Sequence, residues 1–163
     1  MSVTKNDFTP EEWRTVVGLP VAVSMVISLA SPAMGDMLKE SLALASKVAE
    51  IAKDPNATGL LAELAVEYKD SATLKQAQPE LEKSGVDAAR VKLLEEVRAS
   101  VAMLDEKAGD EAAPVKSWLY SVAVATAEAA KEGDFLGFGG VKVNEAETAA
   151  LAELAAILQV AAP

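Results

Sequence analysis

Thr9-Pro10-Glu11-Glu12 is a complete helix start, and signals of this kind recur along the whole chain. Thr9 can accept a hydrogen bond from the first turn, Pro10 needs no partner at the first helical position, and Glu12 reaches back to the cap. Alanine, the strongest helix former, makes up about a fifth of the residues. Aromatic residues are only 4%. Long β-branched runs with period-two alternation are missing, so strands have little to build on. A chain punctuated this way folds as helices.

The spacing of apolar residues divides these helices. The first starts at Pro10, with a kink or restart expected near Gly18-Leu19-Pro20, because Pro20 lacks a donor and disfavours helical backbone at Leu19. It then runs to about Ala30. Ser31-Pro32 opens the next, reaching about Lys53 with Leu38, Leu42, Ala45, Val48 and Ala52 as its apolar rhythm. A short helix follows with Leu60, Leu61, Leu64, Ala65 and Tyr68 facing inward. The stretch from Ser71 to Ser84 suggests another through Leu74, Ala77 and Leu81, but Pro79 interrupts it. Gly85 and Asp87 open a helix with the stripe Val91, Leu94, Val97, Val101 and Leu104, ended by Gly109. The next runs from about Glu111 to Glu132 with Trp118, Leu119, Val122, Ala125 and Ala129 toward the core. Asn144 caps a last helix with Glu147 at its third position. Its buried face is Leu151, Leu154, Ala155 and Leu158. These elements predict an all-α chain: one helical bundle over residues 1–163, of about six to eight helices, with a Gly-rich loop before the last.

The chain contains no Cys and no His. That excludes thiol nucleophiles, disulfides, imidazole bases and His- or Cys-ligated metals. Carboxylate, lysine and tyrosine chemistry remain, as do oxygen-ligated cations. A net charge of -10 argues against nucleic acid, which demands a basic face. Hydrophobic residues at 51% are ample for a core, so the acidity does not imply disorder.

Thr15 to Gly35 carries no charge and is roughly long enough to span a membrane. Pro20, Pro32, Gly18 and Gly35 interrupt it, and no basic cluster flanks it. Asp7, Glu11, Glu12 and Arg14 occupy the place of a signal peptide's basic and apolar regions. The expectation is a helix buried in a bundle, in a cytoplasmic protein.

Adjacent carboxylates occur at Glu11/Glu12, Glu95/Glu96 and Asp110/Glu111. Neighbours on a helix point about 100° apart, so these read as solvated surface and not as catalytic pairs. Ser46/Lys47 and Lys116/Ser117 fail as dyads for the same reason. Trp118 lies on an apolar stripe and reads as core.

The segment from Gly133 to Asn144 breaks the helical pattern with four glycines and two phenylalanines. Gly137 and Gly139 begin a G-x-G, but Lys142 takes the third glycine's place and no strand precedes it, so a dinucleotide loop is rejected. Counted as a calcium loop, Asp134 is position 1, Gly139 position 6, Val141 position 8 and Glu145 position 12. Leu136 and Phe138 at positions 3 and 5 offer no side-chain oxygen, and position 9 is Lys142. The remaining reading is a compact loop that folds Phe135, Leu136 and Phe138 onto the bundle or presents them to a partner.

Lys116-Ser117-Trp118-Leu119, Ala127 to Gly133, Phe135-Leu136-Gly137-Phe138-Gly139-Gly140 and Asn144-Glu145-Ala146-Glu147, with Phe8-Thr9-Pro10-Glu11-Glu12-Trp13, resemble small bacterial all-helical proteins. That group is distantly similar to the tellurite-resistance TerB-like superfamily. The resemblance covers the two ends of the chain. It implies an all-helical fold, with an acidic helix-loop-helix junction linked to metal binding and stress response. Asp134, Glu145 and Glu147 would then be the ligands of calcium or another divalent cation. Gly139 stands where that junction carries the Asp of its Asp-Gly. The expected function is non-enzymatic: binding to a protein partner or self-association through Phe135, Leu136 and Phe138. The alternative is a TerB-like carboxylate metal binder.

Overall fold

The computed structural model describes residues 3–30, 37–55, 57–70, 72, 85–131 and 145–161. Among them are six α-helices: α1 (Pro10–Ser28), α2 (Met37–Lys53), α3 (Gly59–Glu67), α4 (Val86–Ala108), α5 (Ala112–Lys131) and α6 (Glu145–Leu158). Short 3-10 turns cover Lys5–Asp7 and Gly109–Glu111. No strand occurs among the described residues. The expected all-helical class is what the chain adopts.

α1 begins as its sequence dictates. The Thr9 side chain accepts from Glu12 N–H (3.2 Å), and the Glu12 carboxylate accepts from Thr9 N–H (2.7 Å). Of the kink or restart expected at Pro20, the restart does not occur, for α1 runs unbroken through it. Val16 to Pro20 are all buried, as are Ala22, Val23, Ser24, Val26 and Ile27. Burial on nearly every side outweighs one missing backbone donor.

α1 and α5 form the centre. α1 packs on α5 and α4, α2 packs on α5, and α6 packs on α5, α1 and α4. α3 lies on α2 and α5. One apolar cluster draws residues from all six helices, including Val23, Ile51, Leu64, Val97, Leu119 and Leu154. No helix among the described residues is long and apolar enough to cross a membrane.

Two faces differ from the spacing-based reading. In α2, Leu42 is 61% exposed, and the inward row is Leu44, Val48 and Ile51. In α4, Val91 is 54% exposed, while Leu93 joins Leu94, Val97, Val101 and Leu104 inside. α4 meets both α1 and α6, so its buried arc is broader than a single stripe and is rotated toward Leu93. In α5, Ala123, Thr126 and Ala127 are buried, and Ala125 and Ala129 sit at the margin.

α4 starts after Gly85 and ends at Gly109, both at positive φ, as the glycine punctuation predicts. α6 ends differently. Gln159 adopts φ 57°, and Val160 N–H bonds to Ala155 C=O (3.0 Å). This is a Schellman closure with glutamine where glycine is usual. The segment predicted to be helical over 71–84 falls outside the described residues, apart from Ala72.

Candidate functional site

Among the described residues, a dense polar constellation gathers around the N-terminal arm, residues 3–8. The main-chain donors of Val3, Thr4 and Lys5 are met by carboxylates. Glu111 Oε1 accepts from Val3 N–H (3.0 Å), and Glu63 Oε2 accepts from Lys5 N–H (2.5 Å). Asp7 Oδ2 accepts from Thr4 N–H (2.8 Å). Glu67 Oε1 accepts from Lys5 Nζ (3.3 Å) and from Trp13 Nε1 (3.1 Å). Glu63 and Glu67 are four apart on α3, which puts both on the side that faces the arm.

Glu111 has a second task. Its Oε2 accepts from Leu60 N–H at 2.6 Å, so it caps the start of α3 from 51 residues away. Leu60 is in the first turn, where donors have no helical partner. Gly59 makes room for this cap: it holds φ +57°, and a Cβ there would land on the Glu111 carboxylate. Asp110/Glu111 read as solvated surface in the sequence, and for Glu111 that reading fails. Its partners are too distant along the chain for any local motif to reveal them.

The next corner is Glu12. Lys107 Nζ donates to it (2.6 Å) and lies 5.8 Å from the centre of the Phe8 ring. Lys107 and the Thr9 N–H hold the Glu12 carboxyl below the usual carboxylate range. The Thr4 N–H and hydroxyl do the same for Asp7.

Two clusters lie deeper. Lys116 is 7% exposed, and its Nζ donates to Asp105 Oδ1 (2.5 Å) and Gln159 Oε1 (3.1 Å). Gln159 Nε2 donates to Asp105 Oδ2 (3.0 Å), which closes the ring. The ring joins α4, α5 and the end of α6, and it pairs a buried ammonium with charge and hydrogen bonds together. On the other side of α5, Trp118 is core, as expected. Its ring centre is 5.6 Å from that of Tyr68, and Nε1 donates to Lys47 C=O (3.3 Å). The Tyr68 hydroxyl is buried with no hydrogen-bond partner among the described residues. Burial pushes its pKa well above 10.

Of the sequence-predicted ligands, Glu145 and Glu147 both stand in the first turn of α6. Glu145 is exposed and Glu147 is 3% exposed. Asp134, Phe135, Leu136 and Phe138 lie outside the described residues. Among the described residues no group of three acidic side chains converges as a metal site. The carboxylates that do gather, on the arm, each hold a backbone or side-chain donor.

No family model, no curated protein and no solved structure matches this chain.

Proposed function

We propose that this chain is a helical binding module, acting through contact with a protein partner or a second copy and not through catalysis. One observation carries the reading. Four large aliphatic side chains face solvent: Leu42 on α2, Val66 on α3, and Val86 and Val91 on α4. Each is 48% exposed or more; Leu42 and Val66 stand on helices that pack on each other, and Val86 and Val91 share α4. The loop residues Phe135, Leu136 and Phe138 belong to the same reading as further apolar contacts. The polar clusters support it, since their members close the fold.

Analytical ultracentrifugation across a wide concentration range tests the self-association arm. A dimer that grows with concentration and is lost in Leu42→Glu/Val66→Glu, with helix content unchanged, is the expected result. A monomer at every concentration removes self-association. Capture of a partner by the parent chain but not by the double variant then tests the remaining arm.

The position of Glu145 and Glu147 favours a second reading. Both open α6 directly after the segment that holds Asp134. That placement suits a TerB-like carboxylate site for a divalent cation. Calorimetric titration with calcium decides it. No heat and no thermal shift at millimolar calcium would sink it.

A further inference from the structure

The arm and α3 share one side chain. The two oxygens of Glu111 are divided between Val3 N–H and Leu60 N–H, so the carboxylate that docks the arm also caps the helix. The side of α3 facing the arm is tied to it again, by Glu63 on Lys5 N–H and by Glu67 on Lys5 Nζ. Neither element holds its place by apolar burial alone. The arm places Phe8 in the core, with Val3 half-buried against it. α3 has nine residues and buries Leu60, Leu64 and Ala65. An isolated helix this short is unstable in water and depends on its cap and its contacts.

We propose that the arm and α3 form one latch, with Glu111 as the shared catch, which opens from the α1–α5 body as a unit. Loss of the arm takes one partner from Glu111 and both Lys5 contacts from α3. Loss of α3 takes Glu63 and Glu67 from the arm. Each element therefore opens at the rate of the pair, in the manner of a local cooperative unit. Extended backbone at Phe8 and Thr9 gives the arm its hinge, and α3 joins α2 through the turn at Asp54 and Pro55. Opening uncovers Leu60 and Leu64, both fully buried when the latch is shut. The latch stands independently of the binding reading, since it concerns only how this chain opens.

The test is amide hydrogen exchange by NMR on the full chain. Lys5 and the α3 amides from Leu60 to Glu67 are expected to share one opening equilibrium, and Val122 in α5 to exchange far more slowly. Glu111→Ala should accelerate both segments by a common factor of about tenfold, leaving Val122 unchanged. Lys5→Glu touches no contact of Glu111 and sets a like charge against Glu63 and Glu67. It should still accelerate Leu60. Unchanged Leu60 exchange in Lys5→Glu overturns the latch, as does α3 exchanging at the rate of α5 in the parent chain. Should Glu111→Ala fail to fold, Lys5→Glu decides alone.

Discussion

The hydroxyls of Ser24 and Thr126 meet at 3.0 Å inside the core, 102 residues apart in sequence. Thr126 gives its proton to Val122 C=O (2.9 Å), so Ser24 is the donor to Thr126. The pair ties α1 to α5 inside their apolar contact. Thr126→Val keeps the shape but leaves the Ser24 hydroxyl without its acceptor, at an expected loss of about 1–3 kcal/mol in urea unfolding. Ser24→Ala with Thr126→Val should cost less than the two singles summed. Strict additivity would show that the contact does not couple the helices.

Gly59 and Gly109 separate backbone strain from collision. Both hold positive φ, but only Gly59 faces a side chain, the Glu111 carboxylate; Gly109 faces open space. Gly109→Ala should cost about 1–3 kcal/mol, because φ 51° with ψ -125° is backbone open almost only to glycine. Gly59→Ala adds the displaced cap, for a total of roughly 2–4 kcal/mol. Equal losses in thermal melts would mean that Glu111 yields freely.

Tyr68 makes the fold sensitive to alkali. Its folded pKa lies above its unfolded value, so the stability it contributes is whole below pH ~10 and declines as pH rises past that point. Phenolate absorbance belonging to Tyr68 should appear only together with loss of helical circular dichroism. Tyr68→Phe should unfold at higher pH. At pH 7 it should be as stable as the parent or more so, because its hydroxyl has no partner among the described residues.

Acid acts on the arm's carboxylates. The folded pKa values of Asp7 and Glu12 are depressed, so their contribution is present above pH ~4 and lost as pH falls through the folded values. Carboxyl NMR titration should place both below the ordinary range. Lys107→Met should return Glu12 toward that range and move Asp7 much less, because Lys107 is the leading cause only for Glu12.

The ends of helices were readable in this sequence because they are set by neighbouring residues. Thr9, Pro10 and Glu12 announce α1, and Gly85 and Gly109 bracket α4. Faces were less readable. Leu42 and Leu44, or Val91 and Leu93, fit an apolar rhythm about equally well, and the neighbouring helices decide which turns inward. For the same reason Pro20 does not end α1: a local rule met dense packing on nearly every side. Glu111 was invisible because its meaning lies in Val3 and Leu60. The Gly-rich segment, where the sequence placed most of its candidate residues, lies outside those described.

The central pairing of α1 with α5 has a consequence for synthesis. α1 leaves the ribosome with ten residues destined for burial, yet the helix that covers it most closely is made roughly a hundred residues later. The pairing closes a long loop, so docking of α1 onto α5 should be slower than local helix formation. Until α5 emerges, α1 has only α2 and α4 to cover part of its apolar surface, and the rest stays open to chaperones.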